Sequence, residues 1–94
     1  MKKTFYITTA IPYVNAPPHI GHALEAVQTD VVARWHRLKG ENVFFLSGTD
    51  ENAQKNVLAS LEKGVSVKEL VTKNSEFFKG LLKDLNVSIN DFIR

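Results

Sequence analysis

Two strand-like segments separated by a long helical segment constrain the fold of this chain more than any other feature. Residues 4–9 are β-branched and aromatic, as is typical of a β-strand, and a loop containing all three prolines follows in residues 10–18. Residues 43–46 form a short apolar run, which is typical of a parallel strand covered on both faces. Strand, crossover helix and strand in this order predict a βαβ unit, and therefore an α/β fold with a parallel sheet.

Three helices are predicted from the spacing of apolar residues. In the first, over residues 18–39, apolar side chains recur every three or four positions and form one stripe, at Leu24, Val27, Val31, Trp35 and Leu38. We expect this stripe and Phe77-Phe78 to pack in the core, and Asp30 and Arg34 to lie on a solvated face. A second helix ends at Gly64, and a third starts at a capping box of Ser66 and Glu69. Val87 and Ile89 indicate a further extended segment.

Composition excludes several classes of protein. The 94 residues are 44% hydrophobic and 23% charged, which fits one small globular domain, and no apolar run reaches the ~18 residues that cross a bilayer. The first residues do not resemble a signal peptide, so we expect a cytoplasmic location and no membrane partner. The chain has no cysteine, and its formal charge of +2 is too small and too evenly spread to indicate a nucleic-acid partner.

The loops after the two predicted strands, residues 10–18 and 48–53, should face each other at the carboxyl edge of the sheet. Ligands bind at this edge in open α/β sheets, so the two loops are the default candidate site. Asp50 and Glu51 lie in the second loop, just past a buried strand, where a carboxylate can reach a ligand. A solvated turn or a helix N-cap explains these two residues equally well.

The segment His19-Ile20-Gly21-His22 lies at the predicted start of the first helix. Pro18 has a φ suited to the first helical position, which leaves the amides of His19 and Ile20 unpaired at the positive end of the helix dipole. Gly21 leaves room for a ligand, and His19 and His22 project to one side, an arrangement that suits a phosphate. The alternatives are two surface histidines without a role and a zinc site, although the segment lacks HExxH and a third ligand.

These residues resemble the methionyl-tRNA synthetase family, which is one of the class I aminoacyl-tRNA synthetases. Residues 19–22 match the HIGH signature of class I, and residues 8–16, 33–40 and 44–51 are similar to the methionyl branch in particular. The likeness covers essentially the whole chain. It implies the first βαβ portion of a Rossmann-like class I catalytic domain, which forms methionyl-adenylate from methionine and ATP and transfers the methionine to tRNA.

The resemblance also implies an ATP site. In the family, the two signature histidines interact with the ATP phosphates, which carries over to His19 and His22 as catalytic and ATP-binding residues. The signature glycine, here Gly21, lies close to the adenine. Mg²⁺ would accompany ATP through its phosphates, and we expect no metal site within these residues.

A methionine site is implied by the same resemblance. Family residues matching Ile11 and Tyr13 line the methionine pocket, and the aspartate matching Asp50 binds the methionine ammonium group. Relatives commonly carry His-Gly after the Asp-Glu pair, where this chain has Asn52-Ala53. The role of that imidazole is therefore not carried over.

The resemblance further implies an incomplete enzyme. The family's Lys-rich KMSKS loop, its connective insertion and its anticodon-binding domain are absent from residues 1–94, so we expect a fragment that is inactive alone. The alternative function is a small HxGH nucleotidyltransferase, which transfers AMP from ATP and ignores methionine. A third interpretation, a non-catalytic interaction module, has only the small size and weak positive charge in its favour.

Overall fold

The computed structural model describes residues 2–94, which form one parallel sheet of three strands with three helices. In chain order the elements are β1 (Thr4–Thr8), α1 (Ile20–Leu38), β2 (Asn42–Gly48), α2 (Gln54–Lys63), α3 (Val67–Asp84) and β3 (Asp91–Ile93). The strand order is β1-β2-β3 and both pairings are parallel, which confirms the predicted α/β class. No helix in residues 2–94 has both the length and the apolar character needed to span a membrane.

The central strand, β2, is covered by a helix on one face only. On the face towards α1, Phe45 is fully buried, and Phe5 of β1 stacks on His36 of α1 with ring centroids 3.5 Å apart. On the opposite face, Tyr6 and Phe44 stack on each other at 5.9 Å and are 57% and 42% exposed. The second face of this strand is therefore open within residues 2–94, and the cover that its all-apolar sequence predicts for that face stays a prediction.

Helix α1 packs on the sheet with a different face from the predicted one. Its buried residues are Ala26, Asp30 and Ala33, whereas the predicted stripe is exposed, from 41% at Val27 to 82% at Leu38. Two alanines on the buried face allow the helix to lie close to the strands. Trp35 is 58% exposed, so its predicted place in the core is also wrong.

Asp30 is buried because it holds the segment between α3 and β3. Its carboxylate accepts the Ser88 backbone N–H at 2.8 Å and pairs with Arg34 Nε at 2.8 Å. Arg34 also donates to the Asn86 carbonyl at 2.7 Å, and Arg37 donates to the Ser88 carbonyl at 3.0 Å. Burial alone would raise the pKa of Asp30, but the hydrogen bonds from Ser88 and the pairing with Arg34 outweigh it and lower the pKa below its ordinary value.

Helices α2 and α3 end and begin where the sequence predicts. Gly64 closes α2 with a φ of 69°, a left-handed conformation that glycine adopts without strain. Ser66 caps α3, its hydroxyl accepting the Glu69 N–H at 3.1 Å. Phe78 is buried in a cluster with Val14 and Val71. Phe77 is 48% exposed, and the last strand lies at Asp91–Ile93, beyond the predicted Val87 and Ile89.

Candidate active site

The loops after β1 and β2 lie side by side, as predicted. The Asp50 N–H donates to the Pro12 carbonyl at 2.8 Å, and Tyr13 and Asp50 form a parallel β-bridge. The hydroxyls of Thr9 and Ser47 are hydrogen-bonded at 2.7 Å at the base of the two loops. Tyr13 and Asp50, for which the family resemblance implies one shared substrate, are therefore neighbours.

Two residues that the sequence interpretation missed fix the first loop. Glu25 of α1 accepts the Ala10 N–H at 2.7 Å, and Asn74 of α3 donates from Nδ2 to the Val14 carbonyl at 2.8 Å. Asn74 is 2% exposed and Val14 is fully buried. A signal for Asn74 was present in the sequence, because it lies three residues after Val71 and so interrupts the apolar stripe of α3.

The helix start differs from the predicted one, because α1 begins at Ile20 with His19 as its N-cap. His19 Nδ1 accepts the Gly21 N–H at 3.0 Å, and His22 Nδ1 accepts the His19 N–H at 3.1 Å. The predictions that the helix starts at Pro18 and that the His19 amide is unpaired are therefore wrong. The imidazoles take the place that Ser or Asp side chains usually fill at an N-cap.

The two imidazoles stack on each other and project to one side, as predicted. Their centroids are 3.9 Å apart, and the edge of Phe78 fixes the His22 ring from α3 at 4.8 Å. Burial lowers the pKa of His22, the nearby His19 lowers it further, and Glu25 partly opposes both. A neutral imidazole that accepts a hydrogen bond at Nδ1 carries its proton on Nε2. In this geometry each ring therefore presents one N–H donor, at Nε2.

A side chain at position 21 would displace the His19 ring from its N-cap position. A Cβ atom at Gly21 would lie 2.8 Å from His19 Cε1, closer than side chains tolerate. The space that the sequence interpretation reserved for a ligand at Gly21 is thus partly used by the imidazole of His19. Both rings line one surface cavity together with residues of the first loop, namely Pro12, Tyr13, Asn15, Ala16 and Pro17.

Asp50 is half-buried and takes part in a turn, one of the two alternatives to a ligand role that the sequence left open. Its Oδ1 accepts the Asn52 N–H at 3.2 Å. Its carbonyl accepts Nδ2 of Asn56, a fully buried residue of α2, at 3.2 Å. The N-cap of α2 is Ala53, which makes no side-chain hydrogen bond, so Asp50 does not act as the cap.

Apolar surface lies beside this carboxylate. Ile11 and Tyr13 are 42% and 46% exposed, and Tyr13 is bridged to Asp50. Lys55 Nζ lies 5.8 Å from the centroid of the Tyr13 ring. Within residues 2–94, no three His, Asp or Glu side chains group together in a way that could hold a metal ion. The edge of the sheet thus combines a carboxylate, apolar side chains and two imidazole donors.

Comparison with known proteins places this arrangement in a family. The family model of class I (M) tRNA synthetases matches residues 5–94. The chain belongs to this family. It is 52% identical over 90 residues to a methionine–tRNA ligase of Rhizobium meliloti, covering 96% of this chain and 17% of that protein. It is 49% identical over 94 residues to a methionine–tRNA ligase of Rickettsia felis, covering 100% of this chain and 18% of that protein.

A solved structure agrees with the fold. The Mycobacterium tuberculosis methionyl-tRNA synthetase in complex with methionyl-adenylate is 46% identical to this chain, with a TM-score of 0.96. The match covers 98% of this chain and 18% of that one. The predicted family and the Rossmann-like fold class are therefore confirmed. The matches support the synthetase interpretation and not the nucleotidyltransferase alternative.

Proposed function

We propose that this chain provides the adenylate-forming site of an ATP-dependent methionine–tRNA ligase. The observation that carries the proposal is the Tyr13–Asp50 bridge, which sets a carboxylate and apolar side chains next to the cavity lined by His19 and His22. The similarity to a structure that holds methionyl-adenylate supports it. In this proposal residues 1–94 are the first part of the catalytic domain, and the KMSKS loop, the connective insertion and the anticodon-binding domain belong to the remainder of a cytoplasmic ligase.

His19 and His22 act on the ATP phosphates in this proposal. Each Nδ1 accepts a backbone N–H of the helix start, which leaves a donor at Nε2 of each neutral ring. Two donors beside the positive end of the α1 dipole suit the phosphoryl oxygens. Gly21 lies near the adenine. ATP enters with its Mg²⁺, which the phosphates carry.

The methionine is bound at the second loop. Asp50 receives the ammonium group through its carboxylate, and Ile11 and Tyr13 contact the apolar side chain. The two loops are hydrogen-bonded to each other through Pro12 and Asp50. The amino acid is thereby held at a fixed distance from the imidazoles.

The chemistry requires little from the protein beyond position and charge. A methionine carboxylate oxygen attacks the α-phosphorus of ATP, the bond from that phosphorus to the bridging oxygen breaks, and pyrophosphate leaves. An α-carboxyl group with a pKa of about 3.5 is already ionised at pH 7, so no general base is needed. Orientation by Asp50 and charge stabilisation by His19 and His22 then account for the catalysis. In a second step a hydroxyl oxygen of the tRNA attacks the methionyl carbonyl carbon, the bond from that carbon to the AMP oxygen breaks, and AMP leaves.

A chimera tests the proposal. Residues 1–94 replace the matching segment of the Rhizobium meliloti ligase, and methionine-dependent exchange of pyrophosphate into ATP is measured. We expect exchange within about tenfold of the unmodified ligase, a loss of no more than ~1.4 kcal/mol. A chimera that is folded by circular dichroism and thermal melting but shows no exchange would contradict the proposal. Exchange that proceeds without methionine would instead favour the nucleotidyltransferase alternative.

A further inference from the structure

Two adjacent carboxylates at the site, Asp50 and Glu51, have different surroundings. Glu51 accepts Arg94 Nε at 2.8 Å and Arg94 Nη2 at 2.9 Å, one bond to each of its carboxylate oxygens. Arg94 Nη2 also donates to the Thr72 hydroxyl of α3 at 2.9 Å. Among residues 2–94, the Asp50 carboxylate accepts a hydrogen bond only at Oδ1, from the Asn52 N–H.

We propose that Arg94 is a positioning residue that keeps Glu51 away from the substrate, so that Asp50 alone binds the ammonium group of the amino acid. This inference rests on the proposed function. It adds a specific role for the residue that follows β3, far from the HIGH signature in the sequence.

The backbone places Arg94 for this role. Gly48 of β2 pairs with Ile93 of β3, and the Thr49 N–H donates to the Ile93 carbonyl at 2.9 Å. A Cβ atom at Gly48 would lie 2.2 Å from that carbonyl oxygen, so only glycine allows the strands this close. The Thr49 hydroxyl is also bonded to the Ser75 hydroxyl of α3 at 2.8 Å. Arg94 and Glu51 therefore follow two backbone segments whose separation is fixed.

The Arg94–Glu51 ion pair affects substrate binding through the negative charge that Arg94 neutralises. An unpaired Glu51 would offer the ammonium group a second carboxylate, on a longer side chain and next to the intended one. The planar guanidinium of Arg94 occupies both Glu51 oxygens at once, which a lysine cannot do. The hydrogen bond with Glu51 raises the pKa of Arg94, so the guanidinium stays charged at neutral pH. A partly exposed ion pair adds little to folding, so its loss should appear in methionine affinity.

The test compares variants of the same chimera by their KM for methionine in pyrophosphate exchange. We expect Arg94→Ala to raise this KM on the order of tenfold, with a smaller change in kcat. This is less than the roughly hundredfold that a misplacement of the substrate by about 1 Å can cost. The double variant Arg94→Ala/Glu51→Gln should return the KM most of the way to the reference, because the competing charge is gone. Arg34→Ala is the matched control, since Arg34 is 48% exposed in its ion pair against 41% for Arg94.

A purely structural role would give a different result. It would make the double variant at least as poor as Arg94→Ala, and that outcome overturns the inference, as does an unchanged KM in Arg94→Ala. If Arg94→Ala does not fold, Arg94→Gln makes the same comparison, because it removes the charge and keeps a polar side chain. Asp50→Asn separates the two hypotheses. A raised KM in Asp50→Asn with an unchanged KM in the Arg94 variants refutes only the inference, whereas an unchanged KM in Asp50→Asn refutes the proposed role of Asp50.

Discussion

The carboxyl edge of the sheet and the outer face of α1 are opposite in character. At the edge, polar side chains are buried and paired with one another, as in Thr9 with Ser47 and Thr49 with Ser75, all at most 8% exposed. On α1, the apolar stripe is 41–82% exposed. The comparison shows that polar residues are buried here where they fix loops, and that apolar residues are exposed where residues 2–94 provide no cover.

The largest effect is expected at the edge, from Asp50→Asn in the chimera. Asparagine can still accept the Asn52 N–H, so the turn is kept while the charge is lost. Losing a carboxylate that pairs with a bound ammonium group should cost on the order of 2–5 kcal/mol. The KM for methionine should rise steeply, with little change in the KM for ATP. An unchanged methionine KM would leave the turn as the only role of Asp50.

Replacing either signature histidine should slow adenylate formation more than it weakens methionine binding. The loss of one donor where charge develops typically costs on the order of 2.7–4 kcal/mol. Pyrophosphate exchange by His19→Ala and His22→Ala measures the effect. Gln28→Ala, an exposed change on the same helix, is the control. Rates within about twofold of the reference, which is below ~0.5 kcal/mol, would remove the phosphate role.

The order of the elements and the meeting of the two loops could be predicted from the sequence because both follow from local signals. The apolar run of β2 and the glycine and serine at the ends of α2 and α3 mark element boundaries by themselves. Parallel pairing then dictates that the loops after β1 and β2 share an edge. This geometric rule was enough to bring Tyr13 and Asp50 together.

What could not be predicted depends on distant or unusual partners. Asp30 is buried because of Ser88, which lies 58 residues away in the sequence, and no local pattern records that contact. The stripe of α1 has helical spacing whether or not anything covers it, so periodicity alone could not show that it is exposed. The start of α1 was misplaced because histidine is not among the usual N-cap residues.

Asp30→Ala tests whether the buried carboxylate of α1 stabilises the segment of residues 86–90. It removes the acceptor for the Ser88 N–H, and because Ser88 is only half-buried the cost should lie at the lower end of the range of about 1–3 kcal/mol for an unpaired buried donor. Amide hydrogen exchange over residues 86–90 of the chimera should become faster by the corresponding factor. Glu62→Ala, on the exposed face of α2, should leave it unchanged. Equal protection in both variants would show that Asp30 does not hold this segment.

The same contact should depend on pH in one direction. The pKa of Asp30 is lowered in the folded chain from its ordinary value of 3.8. Its contribution is therefore fully present well above that value and is lost as the pH falls through the lowered pKa. Protection of residues 86–90, corrected for intrinsic exchange, should stay constant from pH 7 to about 5 and decrease below about 4. A loss of protection that is complete above pH 5 would point to another group.

The smallest change in folding free energy is expected on the outer face of α1. Val31 is 61% exposed, so Val31→Lys should alter the stability of the 94-residue chain by no more than ~0.5 kcal/mol. Its effect should appear in association instead, because a contiguous exposed apolar patch promotes contact between molecules.

We expect the unmodified chain to bind hydrophobic dyes, to self-associate in analytical ultracentrifugation and to melt over a broad range. The 94-residue chain should also fail to methionylate tRNA.

Lysine at Val31 interrupts the stripe between Val27 and Trp35, so dye binding and association should both decrease. Gln28→Lys adds the same charge to an exposed polar position of the same helix and should change neither, which separates the patch from a general effect of charge. If the two variants reduce association equally, net repulsion and not the stripe is responsible. A cooperative, monomeric melt of the unmodified chain above about 50 °C, the range of intact mesophilic domains, would show that the exposed stripe is tolerated without cover.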